Sequence, residues 1–384
     1  MPNDQSPVRP MRCRRRLHQV NRMLNSARLA VEARHQLRPS HYSENRCVKY
    51  DYRVTVDDGH LSREPDCLLL DLDGTVFRGG TPTPGAVETL DAVEVHTLFL
   101  TNNASRSAAE VSAHLRGLGF AAHARDVVTS AKSAARALAY KLAPGSRVLV
   151  IGTDSLAAEI DAVGLRPVRS NSEAPIAVVQ GHSPHTGWAD LAEATSAIRN
   201  GALWVATNAD LTLPTERGLV PGNGSMVAAV RAATGAEPDV IGKPGPAMFR
   251  DALAIGDFHS PLVVGDRLDT DIAGANSAGL SSLLVLTGVS TAADLLNAEP
   301  GERPTYLAED LRGLHQSAAS LRIGPQPGWH TDVDGDTVIV TSTGEPDSLS
   351  AVRATVGAVW NSTASQVVAG DDVARDSLQQ WGLH

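Results

Sequence analysis

Cys67-Leu-Leu-Leu-Asp71-Leu-Asp-Gly-Thr75 is an apolar run that breaks into a glycine turn and carries two carboxylates two residues apart. Side chains at i and i+2 of an extended segment point the same way, so Asp71 and Asp73 share one cleft at the strand's carboxyl end. Open α/β sheets bind ligands at that edge. A carboxylate placed there can attack phosphorus in line and form an aspartyl-phosphate, which makes Asp71 the candidate nucleophile. Asp73 is the candidate general acid and base, protonating the leaving alkoxide and then taking a proton from water. By itself an Asp-x-Asp-Gly turn is more often only a turn, so the reading depends on what the rest of the chain brings to the same edge.

Downstream of the turn, strands and helices alternate, which predicts an α/β fold: a doubly wound, Rossmann-like parallel sheet with helices on both faces. Strands are expected over 95–100, 147–151, 176–180, 202–207 and 262–264, with 282–287 closing the core, and helices over 187–199, 244–255 and 269–278. Ser107-Ala-Ala-Glu110 has the capping-box spacing that opens a helix. Three further signals fall at predicted strand ends or tight turns. Thr101 offers a hydroxyl to a phosphoryl oxygen, and the backbone N–H groups of Asn102 and Asn103 are expected to help hold the same group. Lys243, in Gly242-Lys-Pro244, is one of only four lysines among 34 basic residues. It can place a positive charge between the Asp71 carboxylate and a phosphate. Gly265-Asp-Arg-Leu-Asp-Thr-Asp271 adds carboxylates suited to Mg2+. The expected ligands are Asp71, the main-chain carbonyl of Asp73, and Asp266. Asp271 stands behind them, supporting a water on the ion, and Asp269 reads as a helix cap.

The net charge of -9 is unevenly spread, because residues 1–50 hold eleven Arg/Lys against three Asp/Glu. Residues 1–62 read as a basic, weakly structured extension with at most a helix over 17–38. A charge run without interleaved aromatics is a weak signal, and no nucleic-acid partner is expected. Cys13, Cys47 and Cys67 show neither metal-ligand spacing nor a disulfide framework, which favours a reducing cytoplasm. No run approaches 18 apolar residues, so no membrane span is expected. The stretch 300–327, rich in Pro, Gly and Arg, reads as a linker. Beyond it a hairpin over 328–343 and an amphipathic helix over 348–361 make a small α/β module. Asp332, Asp334 and Asp336 are spaced like the start of a calcium loop, but Thr343 stands where a bidentate Glu is needed, which favours a polar hairpin turn.

In order along the chain, Asp71-Leu-Asp-Gly-Thr75, Thr101, Lys243 and the Gly265-to-Asp271 segment match four motifs of the haloacid dehalogenase superfamily, which the chain resembles over about residues 66–290. Asn208-Ala-Asp210, Leu213-Pro-Thr-Glu-Arg-Gly218 and Pro221-Gly-Asn-Gly-Ser225, with an insertion between the second and third motifs, resemble the phosphatase branch with a large α/β cap. That branch includes nitrophenylphosphatase-like, phosphoglycolate and glycerol 3-phosphate phosphatases. Within the superfamily an aspartate two residues after the nucleophile separates phosphatases from the dehalogenase branch, so the resemblance makes Asp73 imply phosphate-ester hydrolysis. The resemblance implies a core over 63–129 and 211–299, an inserted cap over 130–210, and an acetyltransferase-like tail over 328–384, although no acetyl-CoA phosphate loop is visible there. It implies a Mg2+-dependent phosphatase acting on a small phosphate ester. Glycerol 3-phosphate leads, as in similar actinobacterial enzymes, with a role in recycling glycerophospholipid polar heads. Phosphoglycolate, or a broad range of sugar and nitrophenyl phosphates, is the alternative. The cap would close over the sheet edge and read the leaving group. Asp154, Gln180, His182, Asp210, Thr215 and Arg217 are candidates either for specificity or for stabilising the cap. His182 and His185 do not make a convincing metal pair.

Overall fold

A strand covered on both faces needs apolar side chains in both directions, and Cys67–Asp71 and Pro261–Gly265 supply them. The computed structural model describes residues 59–383, save 216–217 and 345–346 and the side chains of Pro214 and Thr215. Residues 1–58 of the basic arm with the expected helix, Cys13, Cys47, Arg217 and the Thr215 side chain lie outside the described residues, and the arm's expected end at 62 is corrected, since Leu61–Arg63 forms a short 3-10 turn whose Leu61 is buried in the main core. The main sheet has six parallel strands in the spatial order Tyr306–Ala308, Ser281–Val285, Pro261–Gly265, Cys67–Asp71, His96–Thr101 and Val127–Thr129. Alternate residues feed two different cores. Leu68 and Leu70 pack with Phe99, Val264 and Leu283 on one face. Cys67 and Leu69 pack with Leu98, Val263 and Phe249 on the other. From Cys67–Asp71 the chain winds outward to His96–Thr101 on one side, and it later returns to Pro261–Gly265 on the other. Asp71 therefore sits where the winding reverses, the place at which neighbouring strand ends part and open a crevice.

A second parallel sheet is inserted into the first, in the order Asp239–Val240, Leu203–Ala206, Ala177–Gln180, Arg147–Ile151 and Arg166–Val168. Its edge strand Asp239–Val240 corrects the expected cap boundary at residue 210. The helix Asn223–Thr234 belongs with this sheet, because Val227 and Val230 are buried against Trp204, Ala194 and Ile198. The glycine- and proline-bearing motifs at 213–225 mark a hairpin, Thr212–Thr215 with Gly218–Pro221, inside the insertion and not its end.

Three further expectations at the C-terminal side are corrected. The sheet does not close at 282–287, since Tyr306–Ala308 pairs beyond Ser281–Val285. That strand lies in the expected linker, whose Leu307, Leu311, Leu314 and Leu321 are buried in the cores. Three residues are too few to show a period, so the pattern is invisible in sequence. Trp329–Asp334 and Thr337–Ser342 form the expected hairpin, and Gln366–Ala369 adds a third, parallel strand. The helix Ser348–Trp360 is buried at every residue from Leu349 to Gly357, and so is not amphipathic there. It is sandwiched, with Val352 and Val356 packed among Trp329, Val338, Leu284 and Leu307. Asp336 caps the Ser365 N–H and hydroxyl and Asp332 faces His330, so the hairpin aspartates do not converge. No helix among the described residues is long and apolar enough to cross a membrane.

Candidate active site

The crevice gathers residues that lie far apart in sequence, each delivered by its own strand end. Asp71 closes Cys67–Asp71, Thr101 closes His96–Thr101, and Asp266 follows Pro261–Gly265. Lys243 arrives in the turn after Asp239–Val240. Its ammonium donates to Asp71 Oδ1, to Asp271 Oδ1 at 2.7 Å and to the Leu100 carbonyl at 3.3 Å, so all three protons are placed. Burial alone would pull the lysine pKa down, but Asp271 and Asp71 pull it up by more, and the net direction is upward. Lys243 stays charged although only 4 % exposed.

Carboxylate oxygens of Asp71, Asp266 and Asp271 all lie within 4.8 Å of one another. Burial, compounded by their mutual repulsion, pushes Asp266 up to about 8 and Asp271 up to about 6. Asp71 is also raised, by burial, against the pull of Lys243. One ammonium cannot neutralise three buried carboxylates, so the set calls for protons or a further cation. Its all-oxygen chemistry fits a hard divalent ion such as Mg2+. Asp266 is held by the Val289 N–H on Oδ2 at 2.7 Å and by the Thr75 hydroxyl on Oδ1 at 3.4 Å. Both Asp271 oxygens are engaged, Oδ1 by Lys243 and Oδ2 by the Arg267 N–H at 3.2 Å.

Asp73 stands exposed at the rim. Protein packed on its inner side raises its pKa, with Lys243 and Arg106 opposing. Thr101 Oγ1 accepts from the Asn103 N–H at 3.1 Å, which leaves its hydroxyl hydrogen to donate elsewhere. The Asn103 N–H is therefore engaged by Thr101, contrary to the expectation that it faces a phosphate. Asp269 is not a helix cap: it is paired bidentately with Arg267, Nε at 3.0 Å and Nη2 at 2.7 Å.

Of the cap candidates, Asp154 is an exposed partner of Arg169 and Gln180 is buried against the Trp204 indole N–H. Burial lowers the His182 pKa, and its carbonyl accepts from the Ser105 hydroxyl. His185 is exposed. Asp210 reaches the crevice, where Asn102 Nδ2 donates to its carboxylate at 3.3 and 3.4 Å. Burial raises the Asp210 pKa, opposed by Arg267. Three contributors escaped sequence reasoning: the Asn102 side chain, Arg106, and the loop Thr287-Gly-Val-Ser290. That loop follows the strand Ser281–Val285 at the same sheet edge, which was the available signal. A Cβ on Gly288 would lie 1.8 Å from Asp266 Oδ2, so the loop reaches Asp266 only because the residue is glycine.

Comparisons with known proteins agree in one direction. Residues 68–166 match the model of haloacid dehalogenase-like hydrolases, residues 240–314 a second model of the same hydrolase type, and residues 326–383 that of a GCN5-related N-acetyltransferase like domain. The chain is 59 % identical over 337 residues to a D-glycerol 3-phosphate phosphatase of Mycobacterium tuberculosis, covering 84 % of this chain and 96 % of that one. The crystal structure of the glycerol phosphate phosphatase from that organism in complex with magnesium superposes with a TM-score of 0.83 at 61 % identity, covering 85 % of this chain and 99 % of that one. An acid sugar phosphatase of Staphylococcus aureus is 37 % identical over 63 % of this chain and 94 % of its own length. A 4-nitrophenylphosphatase of Thermotoga maritima aligns with a TM-score of 0.62 at 32 % identity, covering 67 % of this chain and 98 % of that one.

Proposed function

The chain belongs to the haloacid dehalogenase-like hydrolases, and from that premise we propose that it is a Mg2+-dependent phosphatase converting glycerol 3-phosphate to glycerol and inorganic phosphate. It is a phosphoric monoester hydrolase. The observation that carries the chemistry is the meeting of Asp71, Lys243, Asp266 and Asp271 at one sheet edge. The substrate rests on the 59 % identity across nearly the whole length of the mycobacterial enzyme.

An oxygen of Asp71 attacks phosphorus in line. The ester P–O bond breaks, and the leaving glycerol oxygen takes its proton from Asp73, whose pKa burial shifts upward, the direction that favours an acid. Asp73 then removes a proton from water, which attacks phosphorus and releases inorganic phosphate with Asp71 restored. Lys243 holds Asp71 oriented, favours its ionised form against burial, and lessens the repulsion between two anions as they approach. Thr101 donates to a phosphoryl oxygen. Asp71, Asp266 and the main-chain carbonyl of Asp73, with Asp271 behind them, would hold Mg2+, which when bound would supply charge neutralisation and a fixed orientation of the phosphate. In this proposal the enzyme works in the cytoplasm on a small phosphate ester, in the recycling of glycerophospholipid polar heads.

The deciding experiment is a kcat/KM panel of glycerol 3-phosphate, phosphoglycolate, sugar phosphates and p-nitrophenyl phosphate with Mg2+ present. Glycerol 3-phosphate should lead by at least about tenfold, a discrimination of roughly 1.4 kcal/mol. An equal rate with sugar phosphates would move the assignment toward the activity carried by the staphylococcal relative's name.

A further inference from the structure

Asn102 is the residue on which the outward and return crossings between the two sheets converge. Its carbonyl accepts from Ser130 Oγ at 2.6 Å, at the start of the outgoing helix Ser130–Lys141, and from Asn208 Nδ2 at 2.8 Å, just beyond the second-sheet strand Leu203–Ala206. Its side chain turns the other way and clamps the main chain of Lys243. Oδ1 accepts from the Lys243 N–H at 2.8 Å, and Nδ2 donates to the Lys243 carbonyl at 3.1 Å. The remaining amide hydrogen faces the Asp210 carboxylate at 3.3 and 3.4 Å. A Cβ on Gly242 would sit 2.7 Å from Asn102 Oδ1, so the close approach depends on the glycine before the lysine. One acceptor and two donors are thus all in use. An aspartate in the same place would keep the acceptor, lose both donors and set a second carboxylate against Asp210.

We propose that Asn102 is a positioning residue for Lys243, its side-chain clamp completed by Asp210, and that through it the inserted sheet sets where the ammonium meets Asp71. The inference rests on the reading that Lys243 holds the nucleophile. An error of about 1 Å in such a group costs on the order of 10²-fold in rate.

The test uses the full chain with Mg2+ and p-nitrophenyl phosphate, comparing wild type, Asn102→Asp, Asp210→Asn and the double variant. Asn102→Asp should lower kcat about 100-fold with KM changed by less than about threefold, whereas Asp210→Asn, whose side-chain oxygen can still accept from Asn102, should lower it by only about threefold to tenfold. In the double variant the amide and the carboxylate have exchanged places, the N–H to carboxylate bond is restored, and kcat should recover by at least about tenfold over Asn102→Asp. A double variant no faster than Asn102→Asp, or an Asn102→Asp enzyme with wild-type kcat, overturns the proposal. If Asn102→Asp does not fold, Asp210→Ala against Asp210→Asn decides. Alanine should be slower by about tenfold, and equal rates overturn the clamp. Lys243→Met in the same assay tests the underlying reading separately: full activity there removes the lysine's role, while its loss beside an unaffected Asn102→Asp removes only the positioning.

Discussion

At the scale of single residues the site is a problem in crowding negative charge. Asp73→Asn keeps shape and removes the proton, so phosphate release should fall about 10²–10⁴-fold while the melting temperature changes little, since the side chain stands at the solvent rim. Steady-state kinetics beside a thermal melt checks this, and an unchanged kcat would free Asp73 of the acid–base role. Gly288→Ala tests the loop that sequence reading passed over. The added methyl must displace Asp266 or the loop, because it starts 1.8 Å from the carboxylate. The Mg2+ concentration for half-maximal rate should rise about 10–100-fold, the usual cost of disturbing a group that orients a metal ligand. A titration of rate against Mg2+ measures it, and an unchanged midpoint would show that the loop gives way without cost.

At the scale of elements the informative piece is the strand Tyr306–Ala308, set in a stretch whose composition suggests a boundary. Leu307 is fully buried, and its carbonyl accepts from the Arg353 Nε at 3.0 Å in the sandwiched helix Ser348–Trp360. Leu307→Ala should cost about 2–5 kcal/mol in urea unfolding, where a linker residue would cost within about 0.5 kcal/mol. A value in the lower range would restore the linker reading. Elements at the crevice behave differently, because strand ends there were legible one at a time. The capping box Ser107 to Glu110 formed as its spacing predicted, and Asp71, Thr101 and Asp266 fall at the ends of, or just beyond, successive parallel strands.

At the scale of the whole molecule the C-terminal module is part of the main fold's cover. It shares one apolar core with Leu284 and Leu307 of the main sheet. Removing residues 326–384 should uncover those leucines at about 1.5–3 kcal/mol each and yield a less stable or aggregating protein, read by a melt and by size-exclusion chromatography. An undiminished melting temperature would make the module an independent appendage. The charge set also couples folding to pH. With Mg2+ chelated, Asp266 and Asp271 bind protons in the native state up to about 8 and about 6, while in the unfolded chain they release them near the ordinary 3.8. The native state therefore holds more protons across that window, and chelated protein should lose stability as pH rises through it. Added Mg2+ should restore more stability at the alkaline end, because the ligands are ionised there. Melts from pH 5 to 9 with and without chelator check the sign, and a flat metal-free profile would contradict it. What the sequence determined by itself was the set of chemical groups and the parallel α/β plan. A turn bearing two aspartates, a scarce lysine and a run of carboxylates are covalent facts, and buried strands must be written in apolar letters. What only the tertiary structure decided was everything that depends on distance. The Asn102 clamp on Lys243 spans 141 residues, the glycine loop reaches Asp266, and a three-residue strand closes the sheet. Such contacts leave no period in the chain, because each is a single approach made possible by packing elsewhere.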